Sequence, residues 1–542
     1  MATYYFDSRV AGPGTGTYED PYKSLSASIT PSSGDVLSLA RGSVFRDTIP
    51  TASVAANNMR ITSHGFGPKP IVLGSEIVTV WSPTAVPGVF STTLAGNTGG
   101  NAAEDGVVMR GVFWTTDLAT TAALMTEGSF SFNTSTFTAY IKPTGGTPEG
   151  KVYEVAQRLY GVTSTSAFST MEIDEIEFRG QSRQGVYFFN RSSTTVHHCD
   201  FRVIGGANTG APVGNAIELS GGCNGARVYS NTFEDIFDSP VCFQLYTNSN
   251  TIDDLQAYGN TVLRCGLFGV ECNIIGSVTN CSITNVLIYR NRIEQAGYAW
   301  RPTNVTGRGI HIGASQATST MRNIRVFENE LIDCRWGLSG QLDGCGTNGG
   351  VSFTRNKVRT TRSTPQFGGT QSERGMYLSG NVSATFNTIR GYRYGWVNIH
   401  RNQDGCAQVV DNNTFVDVQI AYGDDSVNPF NGTTVLINNI TRMRNNVIWN
   451  NGAVVAFISA TGTRDVQNNS IRAAGGNISN GMSFDGTNLR PASYPLTEDL
   501  FVPPGSNLLT SGKDLGFVRD MQRRQQRKLI GAYGAAPFRL VA

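Results

Sequence analysis

Charge is scarce in this chain: Asp, Glu, Lys and Arg make up 15% of its 542 residues, and the formal net charge is +2. So small and balanced a charge argues against a general polyanion binder, and no nucleic-acid role is expected. The one basic cluster, Arg519, Arg523, Arg524, Arg527 and Lys528, lies in a polar stretch that reads as a solvated helix near the end. There are five histidines and no CxxC or His-rich spacing, so no metal and no cofactor are expected. Nine cysteines is an odd count. Cys242, Cys265, Cys272 and Cys334 fall at inward or near-inward strand positions, where reduced cysteine acts as a small apolar residue. No stretch approaches the ~18 apolar residues of a membrane span, and Met1-Ala2-Thr3-Tyr4 does not begin a secretion leader, so no membrane insertion is expected. Coiled-coil heptads are missing as well.

What the chain has is 62 glycines, abundant Asn, Thr and Ser, and a repeat. Asn231, Asn260, Asn291, Asn329, Asn356, Asn387, Asn413, Asn446 and Asn469 each have an apolar or small residue three positions before and an apolar residue two positions after. Their spacing varies from 23 to 38 residues, as in stacked repeats whose insertions map to loops. The flanks alternate apolar with polar, as in Val228-Tyr229-Ser230-Asn231-Thr232-Phe233, which is strand periodicity broken by a tight bend. Stacked at the ~4.8 Å inter-strand repeat, buried asparagines can satisfy one another's amides.

A second column reads small-apolar-outward-apolar: Gly185-Val186-Tyr187-Phe188, Ala216-Ile217-Glu218-Leu219, Gly269-Val270-Glu271-Cys272, Gly309-Ile310-His311-Ile312 and Gly375-Met376-Tyr377-Leu378. Each coil therefore holds at least two strands. Val196 to Phe201 fits the same frame with Cys199 in the asparagine slot, one coil earlier.

Tyr4-Tyr5-Phe6-Asp7, Gly14-Thr15-Gly16-Thr17, Asp20-Pro21-Tyr22-Lys23-Ser24-Leu25, Gly34-Asp35-Val36-Leu37, and Ile61-Thr62-Ser63 leading to Gly67-Pro68-Lys69-Pro70-Ile71-Val72-Leu73 resemble the opening of right-handed parallel β-helix proteins of the pectate-lyase and phage-tailspike type. Leu529-Ile530-Gly531-Ala532-Tyr533-Gly534 is similar to their closing segment. The expected fold is all-β, a right-handed single-stranded parallel β-helix with a small antiparallel β insertion and a C-terminal extension. The resemblance implies a polysaccharide-degrading activity, a bacterial surface polysaccharide as partner and a homotrimer. It also implies a place in the virion tail if phage-encoded, where release by lysis needs no leader, and otherwise secretion. Such motifs are architectural and say more about fold than about reaction.

Along the chain, residues 1–79 read as an N-terminal cap with the first coils. Residues 80–155, with Trp81, Trp114 and alternation such as Phe130-Ser131-Phe132, read as the antiparallel insertion. Residues 156–475 read as the parallel β-helix and 476–542 as the extension.

Outward side chains of the second column form a face on which a polymer can lie. By register that row is Tyr187, Glu218, Gln244, Glu271, His311, Ser339, Tyr377 and Asn398. Glu218 and Glu271, one intervening coil apart, would have backbones ~9.5 Å apart, compatible with the two carboxyl groups of an inverting glycosidase. The catalytic candidates are Glu218, Glu271, His311, Asp424 and Asp425; the substrate-binding candidates are Tyr187, Gln244, Tyr377, Arg308 and Arg374. Asp343, Asp404, Asp253 and Asp254 read more simply as turn formers. Tyr229, Tyr258, Tyr289 and Phe327, each two before a ladder asparagine, can stack on sugar rings or on one another. Three readings stand: hydrolysis by the paired carboxylates, β-elimination on a uronic-acid polymer using His311, Tyr377, Arg308 and Arg374, and a non-catalytic glycan-binding fibre.

Overall fold

A computed structural model describes residues 1–480 except 28, 97, 209–211, 301–306, 315, 317, 343–349, 362–372, 400–406, 419, 426–439, 445, 451–454, 459–463, 468–469 and 474–477. Asn469, Asp343, Asp404, the basic cluster and the closing segment lie outside the described residues. The chain divides into two compact units, Met1–Asn273 with Ile293–Gly307, and Ile274–Arg292 with Arg308–Ala542.

Each unit is built from coils of three short strands that pair in parallel with the same strands of the next coil. In the first unit, Arg227–Tyr229, Thr232–Ile236 and Val241–Leu245 make one coil, and each joins a different sheet. In the second, Thr320–Phe327, Glu330–Ile332 and Trp336–Leu342 do the same. Consecutive parallel pairing such as Val196↔Val228, Phe201↔Phe233 and Val186↔Ile217 defines a right-handed parallel β-helix. Inward positions are apolar and fully buried, with Phe178, Phe201 and Phe233 stacked at 5.2 and 5.1 Å.

The asparagines form the corner between the first and second strands. Asn231 Nδ2 donates to Asn260 Oδ1 at 3.1 Å and to the Val196 carbonyl of the preceding coil at 2.9 Å, while its backbone N–H also donates to Asn260 Oδ1 at 3.1 Å. In the second unit the same pattern runs from Asn291 through Asn329, Asn356, Asn387 and Asn413 to Asn446. The receiving carbonyl belongs to the residue three before the previous asparagine, Ile288, Val326, Phe353, Ala384 and Val410 in turn. That position has a double duty, which explains why the repeat includes it: its side chain fills the core and its carbonyl closes the corner. The residue just before each asparagine turns the chain at positive φ, as at Ser230, Arg290, Glu328, Arg355, Phe386 and Asn412. For non-glycine residues this conformation is costly and persists where surrounding bonds over-determine it. Cys199 takes the slot one coil earlier, where its N–H donates to Asn231 Oδ1 at 2.9 Å.

Between 75 and 156 the pairing becomes mostly antiparallel: Ser129–Asn133 against Thr138–Lys142, the latter against Phe90–Thr93, and Tyr153–Ala156 against Ser75–Val78. This part has its own core of Leu94, Met109, Phe130, Phe132, Ile141, Tyr153 and Val155.

Replacing Asn356 with Ala deletes two donated side-chain bonds and the acceptor of the Asn329 N–H and Nδ2. The expected loss is about 3 kcal/mol, since each buried group left unsatisfied costs about 1–3 kcal/mol. Urea unfolding checks this; a loss below about 0.5 kcal/mol would mean that the ladder contributes little.

Candidate active site

The third sheet carries the candidate residues. In the first unit its strands are β1 (Tyr160–Ser164), β2 (Gln184–Phe189), β3 (Ile217–Ser220), β4 (Val241–Leu245) and β5 (Phe268–Ile274), adjacent in that order. In the second unit they are β6 (Arg308–Ala314), β7 (Trp336–Leu342), β8 (Arg374–Ser379), β9 (Tyr394–Ile399) and β10 (Ile420–Asp425).

Tyr187 lies opposite Glu218, as expected from the pattern, but the residue opposite Glu218 on β4 is Cys242. Gln244 pairs with Ser220 and so stands two positions along the same face. A shift of two residues leaves every side chain on its original face, so period-two reasoning cannot detect it. Cys242, expected in the interior, instead turns its Sγ toward Glu271 Oε2 at 3.4 Å.

The expectation of a solvated row is also corrected. Glu218 is 5% exposed and Glu271 4%. A carboxylate survives such burial only with hydrogen-bond donors around it. Glu218 Oε2 accepts from Gln184 Nε2 at 2.7 Å and from Asn215 Nδ2 at 2.9 Å. Glu271 Oε2 accepts from Ser239 Oγ at 3.0 Å, and its Oε1 from Asn273 Nδ2 at 3.1 Å and Gln244 Nε2 at 3.4 Å. Burial, reinforced by the negative charge of Asp238, outweighs the donors and pushes the Glu271 carboxyl up to about 7. With β4 between them, β3 and β5 are two strand spacings apart, ~9.6 Å. A half-buried rim of Tyr160, Tyr187, Gln244, Tyr246 and Asn273 surrounds the pair. Tyr160 stacks on Tyr187 at 5.8 Å, and the hydroxyls of Tyr187 and Tyr246 are hydrogen-bonded.

In the second unit His311, Ser339 and Tyr377 share one row, but Val397 continues it where Asn398 was expected. Asn398 pairs with Leu378, a slip of one residue. This row too is covered, with His311 at 5% and Tyr377 at 1% exposure. Arg308, Trp336 and Arg374 lie opposite one another, and both guanidinium groups sit on the Trp336 ring, at 4.9 and 4.5 Å. Arg374 also lies 4.4 Å from the Tyr377 ring. Arg308 Nη1 donates to His311 Nδ1 at 2.8 Å and to Gln341 Oε1 at 2.6 Å. Burial and the Arg308 charge hold the His311 imidazole well below its usual range, so it is neutral at neutral pH.

Asp424 and Asp425 end β10, with backbones opposite Asn398 and Ile399; their side chains lie outside the described residues. Asp253 and Asp254 lie within the strand Thr251–Tyr258 and not in a turn; Asp254 pairs with Arg227 at 2.7 Å, and Asp253 is tied through its backbone to Asn224 and Gly225. Tyr229 and Tyr258 stack at 4.8 Å, as do Tyr289 and Phe327 at 4.9 Å. Glu172, Asp174 and His197 also gather on the first sheet, where Arg60 pairs with both carboxylates. Sequence reasoning missed Gln184, Asn215, Asp238, Ser239 and Tyr246. Gln184 precedes a column motif and Asn215 directly precedes Ala216, so an inspection of motif flanks could have found those two.

No family model matches this chain, and no curated protein matches it. Several solved structures are distantly similar to it. XylC with xylose has a TM-score of 0.49 and 13% identity, over 90% of this chain and 85% of that one. An exopolygalacturonase from Thermotoga maritima has 0.36 and 11%, over 76% and 71%. The Pseudomonas phage phi297 tailspike gp61 has 0.25 and 11%, over 81% and 70%. The chain is a right-handed parallel β-helix protein by its own strand pairing, and its activity has to be argued from its residues.

Glu271 predicts a pH signature in stability. Its carboxyl titrates near 7 when folded against a reference value of 4.5, so the folded state holds an extra proton between those values. Stability contributed by this proton is present below about pH 4.5 and is lost as pH rises to about 7. Glu271→Gln should flatten that part of the stability curve, measured by urea unfolding between pH 4 and about pH 8; an unchanged slope would contradict the assignment.

Proposed function

We propose that this chain degrades a polysaccharide by hydrolysis, with Glu271 as general acid and Glu218 as the base that activates water. The observation that carries this reading is a pair of buried carboxyl groups two strands apart, with Glu271 raised by its burial. Glu271 is held near 7 by burial and Asp238, so it keeps a proton to donate at neutral pH. Glu218 is held by amide N–H donors from Gln184 and Asn215, with Tyr187 and Tyr246 beside it. The ~9.6 Å backbone separation suits inversion, in which a water fits between the second carboxylate and the sugar. The half-buried tyrosines offer ring faces for a sugar.

The finer reading is a phage tailspike-like depolymerase, acting on a bacterial surface polysaccharide as a homotrimer in the virion tail. It is supported by the resemblance of the opening and closing segments and by the near-neutral charge. A second reading has its own support: Arg308 sets a cation against neutral His311 and Arg374 a second one on the far side of Trp336, the equipment for neutralising a uronate carboxylate and accepting its neighbouring proton in β-elimination.

Incubation with bacterial polysaccharides decides among these. Hydrolysis releases reducing ends without an ultraviolet-absorbing product. Glu271→Gln and Glu218→Gln should each lower turnover by about 10²–10⁴-fold with glycan binding retained. An unsaturated, absorbing product that is lost in His311→Ala would favour elimination. Binding without any cleavage would favour the fibre.

A further inference from the structure

The two carboxylates are joined through a continuous path of hydrogen bonds that no residue motif announced. Asn215 Nδ2 donates to Glu218 Oε2 at 2.9 Å, and the same amide's Oδ1 accepts the Ser239 backbone N–H at 3.1 Å. Ser239 Oγ then donates to Glu271 Oε2 at 3.0 Å. Asn215 and Ser239 are 6% and 0% exposed, so water does not compete for these bonds. The path is braced on both sides. The Ala216 N–H donates to the Ser239 carbonyl and the Ile217 N–H to the Pro240 carbonyl, each at 3.0 Å, extending the β3–β4 ladder past its ends. Asp238 is tied to Gly214 and Leu267 through its backbone, each at 3.1 Å.

We propose that Asn215 and Ser239 are positioning residues that hold Glu218 and Glu271 in one shared geometry, so that displacing either end disturbs both carboxylates. The proposal rests on the hydrolase reading for its catalytic consequence and not for its structural one. Asn215 has a donor and an acceptor on one planar amide, and it uses them on different partners. Ser239 uses its N–H on the Asn215 amide oxygen and its hydroxyl on the Glu271 carboxylate. Neither could be replaced by an apolar residue of similar size without leaving a buried N–H or carboxylate oxygen short of a bond. The titratable groups facing Glu271 are Asp238 and Cys242 from the preceding coil, with Cys272 beside it on its own strand; Glu218 acts on the same Cys242.

The test uses the full chain and two readouts. Carbon-13 labelling of glutamate allows Glu271 to be titrated by NMR whether or not the protein is active. Ser239→Ala removes a donor that favours the ionised form, so the Glu271 midpoint should rise by about one pH unit. Ser239→Thr, which keeps the hydroxyl, should restore it and also serves if the alanine variant folds poorly. On a substrate the chain cleaves, the basic limb of kcat/KM should move upward with the midpoint in Ser239→Ala. Because the path is serial, Asn215→Leu combined with Ser239→Ala should lose no more turnover than the worse single variant. A Glu271 midpoint unmoved in Ser239→Ala, or turnover losses that simply multiply in the double variant, would overturn the proposal. Full activity in Glu271→Gln would overturn the hydrolase reading instead, and would leave the NMR result standing.

Discussion

Asn260, Asn329, Asn356, Asn387, Asn413 and Asn446 each accept two hydrogen bonds on one oxygen, from the backbone N–H and the amide of the asparagine one coil earlier, and return their own amide to a carbonyl of that coil. This exchange fixes where the chain leaves the first sheet and enters the second. The corner in turn requires left-handed backbone at residues as bulky as Phe386 and Arg355. Such conformations hold because the next coil supplies bonds that any other turn would lose. Once the corner is set, inside and outside follow by alternation along each strand.

The candidate site depends on the same constraint at one remove. Glu218 and Glu271 face the same way because their strands leave equivalent corners of their coils, and β4 alone separates them. What differs is their company. Glu271 has Asp238 and a thiol near it in a dry setting, and this keeps its proton, while Glu218 is wrapped by two amides. The raised Glu271 carboxyl is the kind of group a general acid requires. In the second unit two arginines close on Trp336, and burial together with the Arg308 charge keeps His311 neutral.

Much of the architecture could be read directly. The residue three before each asparagine was visible as apolar, although its carbonyl's part in the corner was not, because a backbone acceptor leaves no mark on residue type. The placement of Gln244 failed by two positions and that of Asn398 by one, for different reasons. The first shift preserves the face and is invisible to periodicity, and the second puts Val397 on a covered surface where an apolar residue is as acceptable as a polar one.

The coil, its corners and the shared face of Glu218 and Glu271 follow from the order of residues, because stacked amides and alternating side chains are local patterns that repeat. That this face is buried, that Cys242 and Ser239 reach Glu271, and that Asn215 links it to Glu218 depend on how the coils pack. Those contacts join residues 24 to 32 positions apart across neighbouring coils. They depend on connection lengths and on what covers the sheet, and neither follows from periodicity.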